Sequence, residues 1–146
     1  MKFRFLDGVV SADGGQNGRV VTEVTFPPSE DYVGTPFHRP LQVPFTIVLE
    51  ALAASAGRLI EVVTDNKAVA LMVKVEKANF LYPVSAGDKL LVHSEMIGIQ
   101  DKTGEKAGMA HAKATGWVGE RTVAEAQIVY LCVPVKLTHG GSGHSG

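Results

Sequence analysis

A chain of 146 residues, 45% hydrophobic and 20% charged, carries enough apolar surface for one core without disulfides or metal, and its balance excludes an intrinsically disordered protein. Its 14 basic and 15 acidic residues leave a net charge of -1 with no dense Lys/Arg run, which argues against a nucleic-acid partner. Cys132 is the single cysteine. It rules out an intramolecular disulfide, fails every zinc spacing, and points to a reducing cytoplasm.

Met1 to Asp7 holds no apolar core of signal-peptide length, so export is not expected. Val20, Thr22, Val24 and Phe26 alternate with Arg19, Val21, Glu23 and Thr25 after the turn-forming segment Asp13 to Gly18, which with residues 2–10 predicts a hairpin. A proline-rich loop follows, containing Pro27, Pro28, Pro36, His38, Arg39 and Pro40. From Pro44 to Ile60 nearly every residue is apolar or small, with Glu50 its one acid. The stretch predicts a buried helix with Pro44 in its first turn. It is near the lower length limit for a membrane span, but Glu50 and Arg58 are costly in lipid, so no span is expected.

Strand character returns over Ala68 to Val75, breaks at Tyr82 to Asp88, and resumes at Leu90, with further strands around Gly104 and Gly119. Gly108, Ala110, Ala112, Ala114 and Gly116 share one strand face, as do Ala124, Ala126, Ile128 and Tyr130 on the last strand. Two such small faces form a trough for a helix. The expected class is α+β, a long helix wrapped by a curved antiparallel sheet, over residues 1–137 as one domain. Residues 138–146 read as a flexible Gly/Ser/His tail.

Val43-Pro44-Phe45-Thr46-Ile47-Val48-Leu49-Glu50-Ala51-Leu52-Ala53-Ala54-Ser55-Ala56-Gly57 resembles the central helix of the FabA/FabZ-like (3R)-hydroxyacyl-acyl-carrier-protein dehydratases. Ala78 to Leu90, with Phe80, Pro83, Val84, Gly87 and Asp88, is similar to a second segment of that family, and Val123-Ala124-Glu125-Ala126 to a third. Together they span about Phe3 to Val135. The resemblance implies the hot-dog fold. That scaffold also serves thioesterases and non-catalytic proteins.

The family's reaction removes water from a 3-hydroxyacyl thioester and needs a base for the α-proton, an acid for the β-hydroxyl, and donors for the thioester oxygen. By resemblance Glu50 is the acid. Enclosure by Ile47, Val48, Leu49 and Leu52 would disfavour its charged form. The same residue also fits a carboxylate paired with a buried Arg or a backbone donor, or one turned to solvent at a subunit boundary. The family's base is a His where this chain has Pro36; His38, two residues on, is the candidate. Pro44, Phe45, Thr46 and Ala54 are the candidate substrate-binding residues, the Phe45 and Thr46 amides serving the thioester oxygen. Phe45 stands where relatives have Gly, and Ala54 where they have Gln. His93 and His111 fall opposite the small faces, with Glu95, Lys113 and Glu125, and receive no catalytic role. Trp117 is assigned to packing.

Three functions follow: a dehydratase using His38 and Glu50, a thioesterase using Glu50 as base for an attacking water, or a non-catalytic acyl-binding or partner subunit. The expected partners are an acyl carrier protein or coenzyme A thioester and a second copy of the chain, since relatives pair their sheets edge to edge. A carrier would want a basic rim, for which Arg39, Arg58 and Lys89 are candidates. No cofactor or metal is called for.

Overall fold

The structure, a computed structural model, describes residues 6–13, 18–26 and 42–138. Strands β1 (Gly8–Asp13) and β2 (Arg19–Thr25) form the first antiparallel pair, from Gly8 opposite Glu23 to Asp13 opposite Arg19. The hairpin is thus present, but its first strand runs closer to the turn than residues 2–10; residues 1–5 lie outside the described residues. The alternation in β2 holds: Val20, Thr22 and Val24 are buried and continue into buried Phe26.

A two-residue strand β3 (Gln42–Val43) leads into α1 (Phe45–Val63). Pro44 is extended at φ -56 and ψ 143, so it caps the helix from outside and its carbonyl accepts the amides of Ile47 and Val48. α1 runs past Ile60 because the stop signal comes later: Thr64 caps, and Asp65 and Asn66 adopt positive φ of 54 and 60. The Asp65 amide returns to the Val62 carbonyl and that of Asn66 to Glu61, the two bonds of a Schellman close.

The remaining elements are β4 (Ala68–Phe80), β5 (Val84–Ser85), β6 (Lys89–Ile99), β7 (Gly108–Val118), β8 (Arg121–Pro134) and a short α2 (Val135–Thr138). Thr138, expected to open the tail, closes α2, and residues 139–146 lie outside the described residues. Six strands make one antiparallel sheet in the order β1-β2-β6-β7-β8-β4. β4 is therefore an edge, and it slips register twice against β8, between Met72 and Lys74 and between Val75 and Lys77.

α1 lies across this sheet, touching β2, β4, β6, β7 and β8. Its sheet-facing side is Ile47, Val48, Ala51, Leu52, Ser55, Ala56, Leu59 and Ile60, all buried. The side chains opposite are the small ones read from the sequence: Ala110, Ala112, Ala114, Ala124 and Ala126. Small meets large, so the helix backbone comes close. A Cβ on Gly116 would stand 3.2 Å from Leu90 Cδ1 and 3.3 Å from Leu52 Cδ1. On this face a hydrogen bond between two side chains joins Ser94 to Ser55 at 2.9 Å, both buried.

β3 and β5 pair in a second, two-stranded sheet, Val43 opposite Val84. This clasp ties the start of α1 to the segment Pro83 to Asp88. Gly87 there has φ 93 and gives its amide to the Phe26 carbonyl at 2.6 Å, while the Asp88 carboxylate accepts the Ser85 amide at 2.9 Å. The Gly-Asp pair is thus a turn that anchors the helix start, with glycine required by its left-handed backbone. Gly87→Ala is expected to cost about 1–2 kcal/mol, read as a lower urea midpoint at unchanged slope.

Candidate functional site: an open groove along the central helix

The side of α1 turned away from the sheet is not covered by the described residues. Thr46 and Glu50 are exposed and Ala54 is half-buried, four residues apart on one stripe, and the stripe continues through Gly57, Arg58 and Glu61. Beside it runs β4, antiparallel to the helix, from Ala70 near Gly57 to Phe80 near Phe45. Between them lies a groove of about 320 Å³, lined by Glu50, Ala53, Ala54, Gly57, Arg58 and Glu61 of α1, Ala70 and Met72 of β4, Tyr130 of β8, and Leu6. Its volume is at the lower end of small-molecule sites.

Glu50 is on the rim of this groove. The enclosure expected from Ile47, Val48 and Leu52 is absent, because those side chains are on the opposite side of the helix, against the sheet. A helix apolar nearly all round conceals which residues face out, and the small strand faces decide it. Of the readings open for Glu50, the chain by itself shows the one turned to solvent. Ala54 is beside Glu50 on the groove wall.

At the start of α1, Pro44 has no side-chain cap to offer, and the Phe45 and Thr46 amides have no acceptor among the described residues. Two donors and the positive end of the helix dipole are thus directed past the helix start, roughly 6 Å along the axis from Glu50 at 1.5 Å per residue. The Phe45 ring stacks on Phe80, centroids 4.7 Å apart and planes 25° apart, and closes the space between helix start and strand end. His38 lies outside the described residues.

Arg58 stands at the groove but is paired with Glu61 at 2.8 Å. Lys89 is on the sheet beside Glu23 at 3.5 Å, away from the groove, and Arg39 lies outside the described residues. The structure therefore brings one of the three basic-rim candidates to the site. His93 and His111 are on the outer sheet face as expected. His93 is 6.1 Å from the Trp117 ring, and His111 Nε2 lies 2.7 Å from Glu76 Oε1 at an angle outside that of a hydrogen bond. Among the described residues no group of His, Cys, Asp and Glu is arranged to hold a metal, and no helix is long and apolar enough to cross a membrane.

Sequence reasoning left Tyr130 unassigned beyond its face. Its hydroxyl donates to the Ala53 carbonyl at 2.6 Å, and its ring edge meets Gly57. Burial, and secondly the charge of Glu50, push its pKa far up, so the phenol stays neutral. One signal was available: a hydroxyl-bearing aromatic in a row of alanines facing a helix must find an acceptor on that helix.

A helix laid across a curved antiparallel sheet, with its groove along an edge strand, is the hot-dog class. Solved structures agree on the fold: protein PH1136 of Pyrococcus horikoshii superposes with a TM-score of 0.65 at 14% identity, over 87% of this chain and 82% of that one. The smu.793 protein of Streptococcus mutans, solved with acetyl CoA, gives 0.64 at 16% identity over 92% and 93%. Within that class the family follows from sequence. The model of the FabA-like domain matches residues 1–127, and the chain belongs to this family. It is similar to the 3-hydroxyacyl-[acyl-carrier-protein] dehydratase FabZ of Chlamydia trachomatis serovar L2, 31% identical over 134 residues, 90% of this chain and 83% of that protein. The corresponding protein of Chlamydia muridarum is 35% identical over 94 residues, 62% of this chain and 58% of the relative, so that match spans little more than half of the relative.

Proposed function

We propose that the chain is a 3-hydroxyacyl-thioester dehydratase, a hydro-lyase built on one hot-dog domain over residues 1–137. The observation that carries this reading is the placement of Glu50 on the open face of α1, one turn beyond two amides that have no acceptor among the described residues and beside a groove, in a FabA-like chain. The thioester oxygen takes the Phe45 and Thr46 amides, which stabilise the enolate formed when the α-proton leaves. His38 takes that proton. Glu50 protonates the β-hydroxyl, the C–O bond breaks, and water and the enoyl thioester remain. Pro44 fixes the helix start, and Ala54 lines the acyl path.

The partners in this reading are an acyl carrier protein or coenzyme A thioester, presented in the cytoplasm. Crotonyl and 3-hydroxybutyryl thioesters test it. Interconversion of the two, followed by enoyl absorbance, is the expected result, and no conversion above background removes the reading. Pro36 at the place of the family's His favours one rival, attack of a Glu50-activated water on the thioester itself. Release of free thiol without hydration would assign that rival.

The reading also requires a second copy. β4 is an edge strand, and its Leu71, Met72 and Val73 are 53%, 47% and 57% exposed, an unprotected apolar edge beside the groove. Pairing of β4 with its counterpart would cover this edge. Val73→Lys is expected to convert a dimer to monomer in sedimentation at micromolar concentration. A wild-type protein that sediments as a monomer overturns the assembly.

A further inference from the structure

The polar inventory of the groove next to Glu50 is short. Ala54 has no polar group, Ala53 and Gly57 offer backbone, Ala70 and Met72 are apolar, and Arg58 and Glu61 are paired with each other at 2.8 Å. Tyr130 is the exception, and its hydrogen bond restricts what it can do. A phenol carries one hydrogen and can accept as well. The hydrogen is committed to the Ala53 carbonyl at 2.6 Å in a buried contact. Towards a ligand the oxygen is therefore an acceptor only, and high in pKa through burial and the neighbouring Glu50 charge it does not ionise.

We infer that Tyr130 is a specificity-determining residue of this groove, its oxygen accepting the hydrogen of a ligand's β-hydroxyl so that 3-hydroxyacyl groups are held in preference to unsubstituted ones. The inference rests on the acyl-thioester reading above and names the group that recognises the hydroxyl. Chemical complementarity supports it. A ligand hydroxyl can donate to Tyr130 and still present a lone pair to Glu50, the orientation needed for protonation of the leaving oxygen. An unsubstituted chain fills the same space but leaves the phenol acceptor buried and unused. The ring edge lies beside Gly57, and the Ala53 bond sets the hydroxyl.

The test is equilibrium binding of two pantetheine amides, 3-hydroxybutyryl and butyryl, in which nitrogen replaces the thioester sulfur so that binding is measured without turnover. Wild-type protein is expected to favour the hydroxylated ligand about tenfold. Tyr130→Phe should bring the ratio close to one while leaving butyryl affinity unchanged, whereas a purely structural tyrosine would lower both affinities together. An unchanged ratio in Tyr130→Phe overturns the inference and leaves the acyl-thioester reading standing. Binding of neither amide by wild type removes both. If Tyr130→Phe does not fold, wild type carrying 3-fluorotyrosine supplies the answer by fluorine NMR, its resonances assigned with Tyr32→Phe and Tyr82→Phe. The Tyr130 resonance should move with the hydroxylated amide and stay with the butyryl one; equal movement, or none, overturns the inference.

Discussion

Glu50→Gln is expected to lower the interconversion of 3-hydroxyacyl and enoyl thioesters by about 10²–10⁴-fold, the usual contribution of one general acid–base group. Stability should stay within about 0.5 kcal/mol of wild type, because Glu50 is exposed and makes no hydrogen bond or ion pair with the described residues. The pairing of a large kinetic effect with a negligible thermal one is what separates a working carboxylate from a structural one. Gln keeps size and polarity but cannot deliver the proton. Steady-state rates and a thermal melt on the same preparation decide the matter. Full activity in the variant would remove Glu50 from the mechanism.

Two residues further along, the opposite outcome is expected. Leu52 is fully buried against the sheet, and its Cδ1 lies close to Gly116. Leu52→Ala should cost about 2–5 kcal/mol, towards the upper end of that range. The cavity can collapse only in part, since its far wall is Gly116 and alanines set in paired strands, and the neighbours that could lean into it are Leu90 and Val123. In urea the midpoint should fall by about 1 M or more at the ordinary slope for a protein of this size. The fraction still folded should turn over at close to the wild-type rate. A cost below about 1 kcal/mol would show that the close packing of helix on sheet does not sustain the fold.

The contrast between these neighbours also marks what could be read from the chain alone. The hairpin, the helix, the run of antiparallel strands and the small faces of β7 and β8 were legible, because alternation and the alanine series report burial directly. The facing of Glu50 was not. In Pro44 to Ile60 apolar residues occupy nearly every position, so helical period carries little contrast, and only the partner surface selects the inward side. The clasp of β3 and β5 escaped for another reason: two residues are too few for any period. Its purpose was nonetheless signalled by Gly87 and Asp88, whose turn chemistry is local. Tyr130 was placed on the right face, but its bond to Ala53 joins residues far apart in the chain, and no local pattern announces such a contact.

The alanine trough has a consequence for how this protein could change its preference among acyl chains. Where a core is built of large side chains, shortening one opens space for a longer ligand. Here much of the β7 and β8 face under α1 is alanine and glycine, and little there remains to shorten. Added room has to come from the other flank of the helix, through Ala70, Met72, Phe80 and the Phe45 ring that stacks on it. Met72 and Phe45 are 47% and 41% exposed, so exchanging them is cheap in folding terms. Selectivity and foldability are thus inherited by separate sets of side chains, and the first can drift while the second is held constant.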